Sequence, residues 1–132
     1  MMLNVREAEH GVWLVLRISG EMDLVSSPAV RQRVHDAVAV GCHDVVLDLS
    51  DVVFCDSSGV SVLIAARRLM RSCQGRLRLI LPSDGSVGGM SGRGGAAHVN
   101  KVLAALGVRR LFDVYADVYE ATAEDDAHPI SA

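Results

Sequence analysis

The sequence lacks the long apolar stretches that mark membrane proteins and secreted precursors. No segment approaches the roughly 20 apolar residues that cross a bilayer, and the first six residues do not resemble a signal peptide. We therefore expect a cytoplasmic protein without a membrane partner. Basic residues are also too few for a broad nucleic-acid-binding surface, because 13 Lys and Arg stand against 16 Asp and Glu and give a net charge of −3.

Cysteines are few and poorly spaced for a metal site or a disulfide framework. Cys42, Cys55 and Cys73 form no Cys-x-x-Cys pair, and no histidine stands at ligand spacing beside them. We predict three reduced, partly buried thiols and neither a metal nor another cofactor.

Motifs for catalysis are equally scarce. The Gly-x-Ser-x-Gly elbow of α/β-hydrolases is absent, and so is the phosphate-binding Gly-x-x-x-x-Gly-Lys-Ser/Thr loop. Residues 92–97 match a dinucleotide-binding fingerprint, but they follow their predicted strand by about ten residues where the fingerprint requires immediate succession. We expect no enzyme, and a nucleotide-binding module is a minor alternative that rests on the anion affinity of a helix N-terminus.

Aromatic residues make up only 4% of the 132-residue chain, so Val, Leu, Ala and Ile must form most of the core. Trp13, Phe54 and Phe112 are expected to be isolated large side chains within it. The length fits one domain. We place this domain at residues 1–126 and expect a frayed tail at 127–132.

Periodicity predicts alternating strands and helices. In the second strand, Val12, Leu14, Leu16 and Ile18 share one face. The predicted strands are Leu3–Ala8, Val12–Ser19, Val45–Leu49, Leu77–Leu81 and Leu111–Tyr115. The predicted helices run from an N-cap at Ser27 to a stop at Gly41, from Ser57 or Ser58 to Ser72, from His98 to Leu106 and from Ala116 to Asp125. This order indicates an α/β fold with a mixed sheet of four or five strands, a parallel centre and four helices.

A glycine-rich segment interrupts this pattern after the fourth predicted strand. Residues 82–96 contain six glycines and few apolar side chains. Such a segment buries too little apolar surface to offset the entropy lost on ordering. We predict a flexible loop at residues 83–96.

The turn Asp56-Ser57-Ser58-Gly59, hereafter the serine turn, follows a buried strand and begins a helix. In α/β sheets, functional sites gather beyond the carboxyl ends of the strands. Capping alone would explain Asp56 or Ser57, because their side-chain oxygens can accept from the N–H groups of the first helical turn. Two adjacent serines exceed what a cap needs, so one hydroxyl can face solvent where a kinase can reach it.

The helix after the serine turn has a polar face suited to a protein partner. At 100° per residue, this face carries Ser57, Ser61, Ile64, Arg68 and Arg71, with Val60 near its edge. The opposite, core-facing side carries Val62, Ala65, Ala66, Leu69, Met70 and Cys73. Hydroxyl, aliphatic and arginine side chains together at the end of a sheet favour docking of another protein.

Several segments, in the right order, carry a resemblance to one family. They are Gly20-Glu21-Met22-Asp23, Val45 to Leu49, Phe54 to Val60, Leu63, Arg67, Val102 to Gly107, and Leu111-Phe112. With these segments the sequence resembles the stand-alone STAS domains of bacteria, the anti-sigma factor antagonists. The resemblance covers most of the chain and implies a STAS-like fold.

This resemblance implies partner switching. The unphosphorylated protein would bind an anti-sigma factor that is also a serine kinase, and so release a sigma factor for transcription. Phosphorylation of Ser58, with Ser57 as the fallback, would end the complex, and a PP2C-type phosphatase would restore it. Asp23 and Asp56 match acidic positions that flank the docking surface, and Gly59 closes the motif. The alternatives are a STAS scaffold that is never phosphorylated and a nucleotide-binding STAS module; we expect a monomer or a weak dimer.

Overall fold

The computed structural model describes residues 3–81 and 95–123, with only the backbone described at 95–97. The strands are β1 (Leu3–His10), β2 (Trp13–Met22), β3 (Asp44–Cys55), β4 (Arg76–Ile80) and β5 (Asp113–Tyr115). The helices of this part of the chain are α1 (Ser27–Ala39), α2 (Ser57–Ser72), α3 (Gly95–Ala105) and α4 (Val118–Ala121), with a 3-10 turn at Arg109–Leu111. The strands form one sheet in sequence order, in which β1 is antiparallel to β2 and every later pair is parallel. The predicted α/β fold is confirmed.

The layer formed by α1, α2 and α3 covers one face of the sheet and encloses the larger core. Alternation along β2 predicted this face, since Leu14, Leu16 and Ile18 are all buried there. Val12 is the exception and is 64% exposed. It lies in the turn before β2, where Gly11 takes a left-handed φ of 65°. The prediction that Val12 belongs to the inner face is therefore wrong.

A smaller core lies on the opposite face of the sheet, under α4. It consists of Trp13, Val15, Val46, Ile80 and Ala121. Val46 is thus buried on this face while its neighbours Val45 and Leu47 are buried on the other. β3 is covered on both sides, as its nearly continuous apolar run predicts.

β3 has two irregularities that shape its carboxyl end. Against β2 it gains one extra residue near its middle and another between Val52 and Phe54. Extra residues of this kind break the two-residue alternation, so Val53 and Phe54 are both exposed while Val52 and Cys55 are both buried. Trp13 and Phe112 are buried as predicted, but the prediction that Phe54 fills the core is wrong.

Two helices, α1 and α3, begin earlier in the sequence than predicted. Ser26, not Ser27, is the N-cap residue of α1, because Ser27 is buried and its N–H already donates to the Asp23 carbonyl at 2.9 Å. α3 begins at Gly95, so residues 95 and 96 are helical and the predicted loop is wrong there. The helical spacing that predicted α3 begins at Val99, so its first turn was not recognised. Residues 83–94 of the predicted loop lie outside the described residues.

The terminal helix is shorter than the predicted span of Ala116–Asp125. α4 begins after Asp117, whose carboxylate accepts a hydrogen bond from the Glu120 N–H at 2.9 Å. It ends at Thr122, whose hydroxyl donates to the Val118 carbonyl at 2.8 Å. Side chains that bond to nearby backbone in this way favour helix ends. Residues 124–132, with the predicted tail 127–132, lie outside the described part of the chain.

Candidate partner-docking site

The candidate site lies where β2 and β3 end side by side. Met22 and Cys55 are paired as the last residues of these parallel strands, and the Asp56 N–H donates to the Met22 carbonyl at 3.3 Å. Asp23 and Asp56 each follow one of the two strands, so both acidic residues lie at the same end of the sheet. The family resemblance had implied only that both residues flank the docking surface.

Asp56 is the N-cap of α2. Its backbone is extended, and its carboxylate oxygen Oδ1 accepts from the N–H groups of Ser58 at 2.8 Å and Gly59 at 3.2 Å. Its carbonyl accepts the first helical bond, from the Val60 N–H at 3.1 Å. Of the two residues that could have capped the helix, Asp56 does so, and Ser57 is the first residue of α2.

The two serines of the turn are therefore left without a capping role. Ser57 is exposed and Ser58 is half-buried. Neither hydroxyl forms a hydrogen bond with any residue that the structure describes. The geometry makes Ser57 the more exposed of the two, whereas the family motif points to Ser58.

Gly59 is required by the contact between α2 and the strand ends. A Cβ atom at this position would lie 2.7 Å from the Cys55 Sγ, 2.7 Å from the Met22 carbonyl oxygen and 2.9 Å from the Met22 Cβ. No real side chain tolerates approaches this short. The absence of a side chain thus lets the first turn of α2 sit directly on β2 and β3, with both serines at the surface.

Asp23 organises the loop between β2 and α1. Its Oδ1 accepts from the Ser26 N–H at 2.9 Å, the Ser26 hydroxyl at 2.8 Å and the Val25 N–H at 3.1 Å. The Ser26 hydroxyl is also 2.6 Å from the Glu21 carbonyl. The backbone and hydroxyl of Ser26 lower the pKa of Asp23 below its ordinary value of 3.8, so this side chain is charged at neutral pH.

The polar face of α2 follows the prediction in part. Ser61, Arg68 and Arg71 are exposed, together with Ser57. Ile64 is only half-exposed because it packs against the core. Val60, predicted near the edge of this face, is 2% exposed and belongs to the core. The exposed face of α2 is therefore more polar than its sequence suggested.

Apolar side chains next to the turn were missed by the sequence reasoning. Leu24 and Val25 follow Asp23 and are 73% and 87% exposed, and Val53 and Phe54 precede the turn and are also exposed. Leu24 and Val25 form an apolar pair between a predicted strand and a predicted helix, and this pair could have indicated exposed apolar surface from the sequence. The exposure of Val53 and Phe54 depends on the irregularities of β3 and left no local signal.

His98 of α3 also contacts the site. Its Nε2 lies 3.2 Å from the Cys55 carbonyl, and its ring stacks on Phe54 with centroids 5.4 Å apart and planes 20° apart. The helix that follows the glycine-rich segment is thereby joined to the last residues of β3. No sequence pattern indicates this contact, because it joins positions 43 residues apart.

The cysteines and the possible metal ligands of the described residues add no second candidate site. Cys42, Cys55 and Cys73 are free thiols as predicted, and burial, with a smaller effect of the Asp56 charge, raises the pKa of Cys55 to about 11. Across residues 3–81 and 95–123, no group of three His, Cys, Asp or Glu side chains could hold a metal ion. No helix in these ranges is long and apolar enough to cross a membrane.

The five-stranded mixed sheet and the capped serine turn define a class of protein: α/β domains whose candidate site lies at the strand-to-helix turn of the central strand. The chain belongs to the STAS domain family, whose sequence profile matches residues 4–86, more than half of its length. The family predicted from the motifs is confirmed. So is the expected likeness to anti-sigma factor antagonists, in both sequence and fold.

One relative is the anti-sigma F factor antagonist of Paenibacillus polymyxa. It is 32% identical over 78 residues, which are 58% of this chain and 67% of that protein. A crystal structure of an anti-sigma factor antagonist from Mycobacterium paratuberculosis matches with a TM-score of 0.73 and 22% identity, covering 91% of both chains. The Bacillus cell fate determinant SpoIIAA in its phosphorylated form matches with a TM-score of 0.62 and 22% identity, covering 89% of this chain and 96% of that one. At such identities the structural matches show the fold alone.

Proposed function

We propose that this STAS domain is an anti-sigma factor antagonist that acts in the cytoplasm by binding, not by catalysis. In its unphosphorylated state it binds an anti-sigma factor with serine-kinase activity, and a sigma factor is released. The relative from Paenibacillus polymyxa is an anti-sigma F factor antagonist, which supports an anti-sigma factor as partner. The observation that carries the proposal is the capping of α2 by Asp56, which leaves the two serine hydroxyls without a hydrogen-bond partner among the described residues.

The docking surface combines the serine turn with the residues around it. We assign to it the acidic residues Asp23 and Asp56, the turn residues Ser57, Ser58 and Gly59, and the α2 residues Ser61, Ile64, Arg68 and Arg71. The exposed apolar side chains Leu24, Val25, Val53 and Phe54 extend it. A partly apolar centre with a polar rim is the usual composition of a protein interface.

Phosphorylation of Ser58 explains how such a surface can be switched. A phosphate adds about −1.5 to −2 charge, and the N–H groups of Ser58 and Gly59 that could neutralise it are already bonded to Asp56. A bound partner would have to bury this charge beside the Asp56 carboxylate. Burying an unpaired charge costs several kcal/mol, which corresponds to orders of magnitude in affinity. The solved phosphorylated form of SpoIIAA supports a switch of this kind in the fold.

Mass spectrometry after incubation with kinase tests the proposal. The purified protein is incubated with ATP and each anti-sigma factor kinase of its source organism, and we expect phosphate on Ser58. Ser57→Ala should still be modified and Ser58→Ala should not. Phosphate on Ser57 alone would transfer the role to the fallback residue. Absence of phosphate from both serines with every kinase would overturn the switch.

Affinity measurements test the charge mechanism separately. We expect Ser58→Asp to weaken binding of the anti-sigma factor at least tenfold and Ser58→Ala to bind like the wild-type protein. Incubation of the phosphorylated protein with a PP2C-type phosphatase should restore binding. Equal affinities of the Asp and Ala variants would contradict the mechanism.

A further inference from the structure

A second feature of α2 lies away from the serine turn, in the groove between α1 and α2. The groove encloses about 260 Å³. Its lining residues are Arg31, Val34 and His35 from α1, and Ala65, Ala66, Arg68 and Leu69 from α2. The floor is therefore aliphatic, and the charged or titratable side chains stand at the rim.

The rim of this groove is basic in a protein that is acidic overall. Arg31, His35 and Arg68 are all exposed, and none of the groove's lining residues is acidic. The ion pairs of the described residues involve other arginines, as when Arg33 binds Glu7 at 3.0 Å. Arg31 and Arg68 thus present two positive charges to solvent with no carboxylate of the described chain paired to either.

The groove also adjoins the proposed docking surface. Arg68 belongs to both, and it lies ten residues after Ser58, about 15 Å along the helix axis. A standard protein interface covers about 800 Å² on each partner, which is wide enough to include both places. One protein partner can therefore contact the serine turn and the groove together.

We propose that the groove between α1 and α2 receives an acidic segment of the anti-sigma factor, with an aliphatic side chain on the floor and a carboxylate between Arg31 and Arg68. This inference rests on the proposed function and names a second contact of the same partner. A small inorganic anion is a poorer occupant, because the floor offers it no hydrogen-bond donors. Because Arg68 lies about 15 Å along the helix axis from Ser58, its contact with the carboxylate stays available when the turn is phosphorylated.

Charge reversal tests the groove. Arg31→Glu and Arg68→Glu are each compared with Arg110→Glu, which changes the same charge at an exposed position of the 3-10 turn outside the groove. The ligand is the purified anti-sigma factor that binds the wild-type chain, measured by calorimetry at 50 mM and 300 mM NaCl. We expect each groove variant to lose about five- to tenfold in affinity at low salt and the salt dependence to weaken, since facing charges act at long range. Arg110→Glu should stay within twofold of wild type.

A neutral variant separates charge from shape. Ala65→Phe fills the groove without altering charge, and we expect it to weaken binding while circular dichroism reports an unchanged fold. If Arg31→Glu and Arg68→Glu bind like Arg110→Glu, the groove proposal is overturned. If Ser58→Asp weakens binding in that same experiment, the proposed function stands without the groove. If no anti-sigma factor binds the wild-type chain, both proposals fall.

Discussion

Gly59 lies where the first turn of α2 touches the ends of both β2 and β3, and this contact decides whether the serine turn can form. Two of the three atoms nearest to its missing Cβ belong to Met22, one of them a backbone oxygen that cannot move without disturbing β2. Relief by a side-chain rotation is available only at Cys55. Position 59 therefore requires glycine because of packing and not because of backbone conformation.

We predict that Gly59→Ala lowers the free energy of unfolding by about 1–3 kcal/mol, the usual cost of overpacking a core. In an unstrained helix the same change would instead stabilise by about 0.5–1 kcal/mol, so the sign of the effect is informative. Urea denaturation measures it, with Ser61→Ala on the exposed face of α2 as the control. A stabilised Gly59→Ala protein would show that the strand ends relax away from α2.

The thiol of Cys55 gives a second prediction at this scale. Burial raises its pKa to about 11, so almost none of it is thiolate at pH 7 and the thiolate is the reactive form. We expect iodoacetamide to modify Cys42 and Cys73 well before Cys55, and Cys55 to react appreciably only as the pH approaches 11. Mass spectrometry of tryptic peptides over a pH series measures the order. Rapid modification of Cys55 at pH 7 would contradict the packed geometry around Gly59.

At the level of elements, periodicity predicted what depends on neighbouring residues along the chain. The inner face of β2 and the double burial of β3 follow from their apolar patterns. A cap at Asp56 or Ser57 was expected from their side-chain oxygens, and the structure assigns it to Asp56. The predictions failed where contacts between segments distant in sequence determine which side chains are buried or lie at the site. Phe54 is exposed because β3 gains residues against β2, and His98 reaches the site because α3 packs on β3.

The start of α1 shows the same limit of prediction from sequence, here within a single loop. Ser27-Pro28 has the chemistry of a helix start, yet Ser26 occupies the N-cap position. The hydroxyl of Ser26 is engaged by Asp23 and by the Glu21 carbonyl, so the loop geometry, not the intrinsic preference of Ser27, sets the boundary. A one-residue shift of this kind needs the folded strand ends and cannot be seen in the sequence.

The cap of α2 is an element whose contribution can be measured directly. We predict that Asp56→Ala destabilises the protein by about 0.5–2 kcal/mol, because the N–H groups of Ser58 and Gly59 lose their acceptor. Asp56→Asn keeps an acceptor oxygen and should cost much less. Chemical denaturation of the two variants at pH 7 makes the comparison. Equal destabilisation by Ala and Asn would mean that the charge of Asp56, and not the cap, is what stabilises the turn.

For the whole molecule, the face of the sheet opposite α1–α3 carries the buried Arg78, and the exposed Arg76 also lies over Trp13, with its guanidinium 4.4 Å from the ring centre. Arg78 is 8% exposed, and its guanidinium lies 4.4 Å from the ring centre of Trp13 and 5.1 Å from that of Tyr115. Its Nη1 donates to the carbonyls of Ala121 at 3.0 Å and Ala123 at 3.3 Å. The arginine thus joins β4 to the end of α4 and closes the smaller core over the sheet.

Trp13, the only tryptophan of the chain, reports on this closure because it is 1% exposed and lies against Arg78. We predict that Arg78→Leu shifts its fluorescence to longer wavelength and lowers the free energy of unfolding by about 1.5–3 kcal/mol, the range for hydrogen bonds to charged groups. Arg110→Leu, at an exposed position, is the control and should change neither. None of these contacts of Arg78 involves the serine turn, so binding of the anti-sigma factor should be retained. An Arg78→Leu protein with wild-type emission and stability would mean that Arg78 is not needed to close this face.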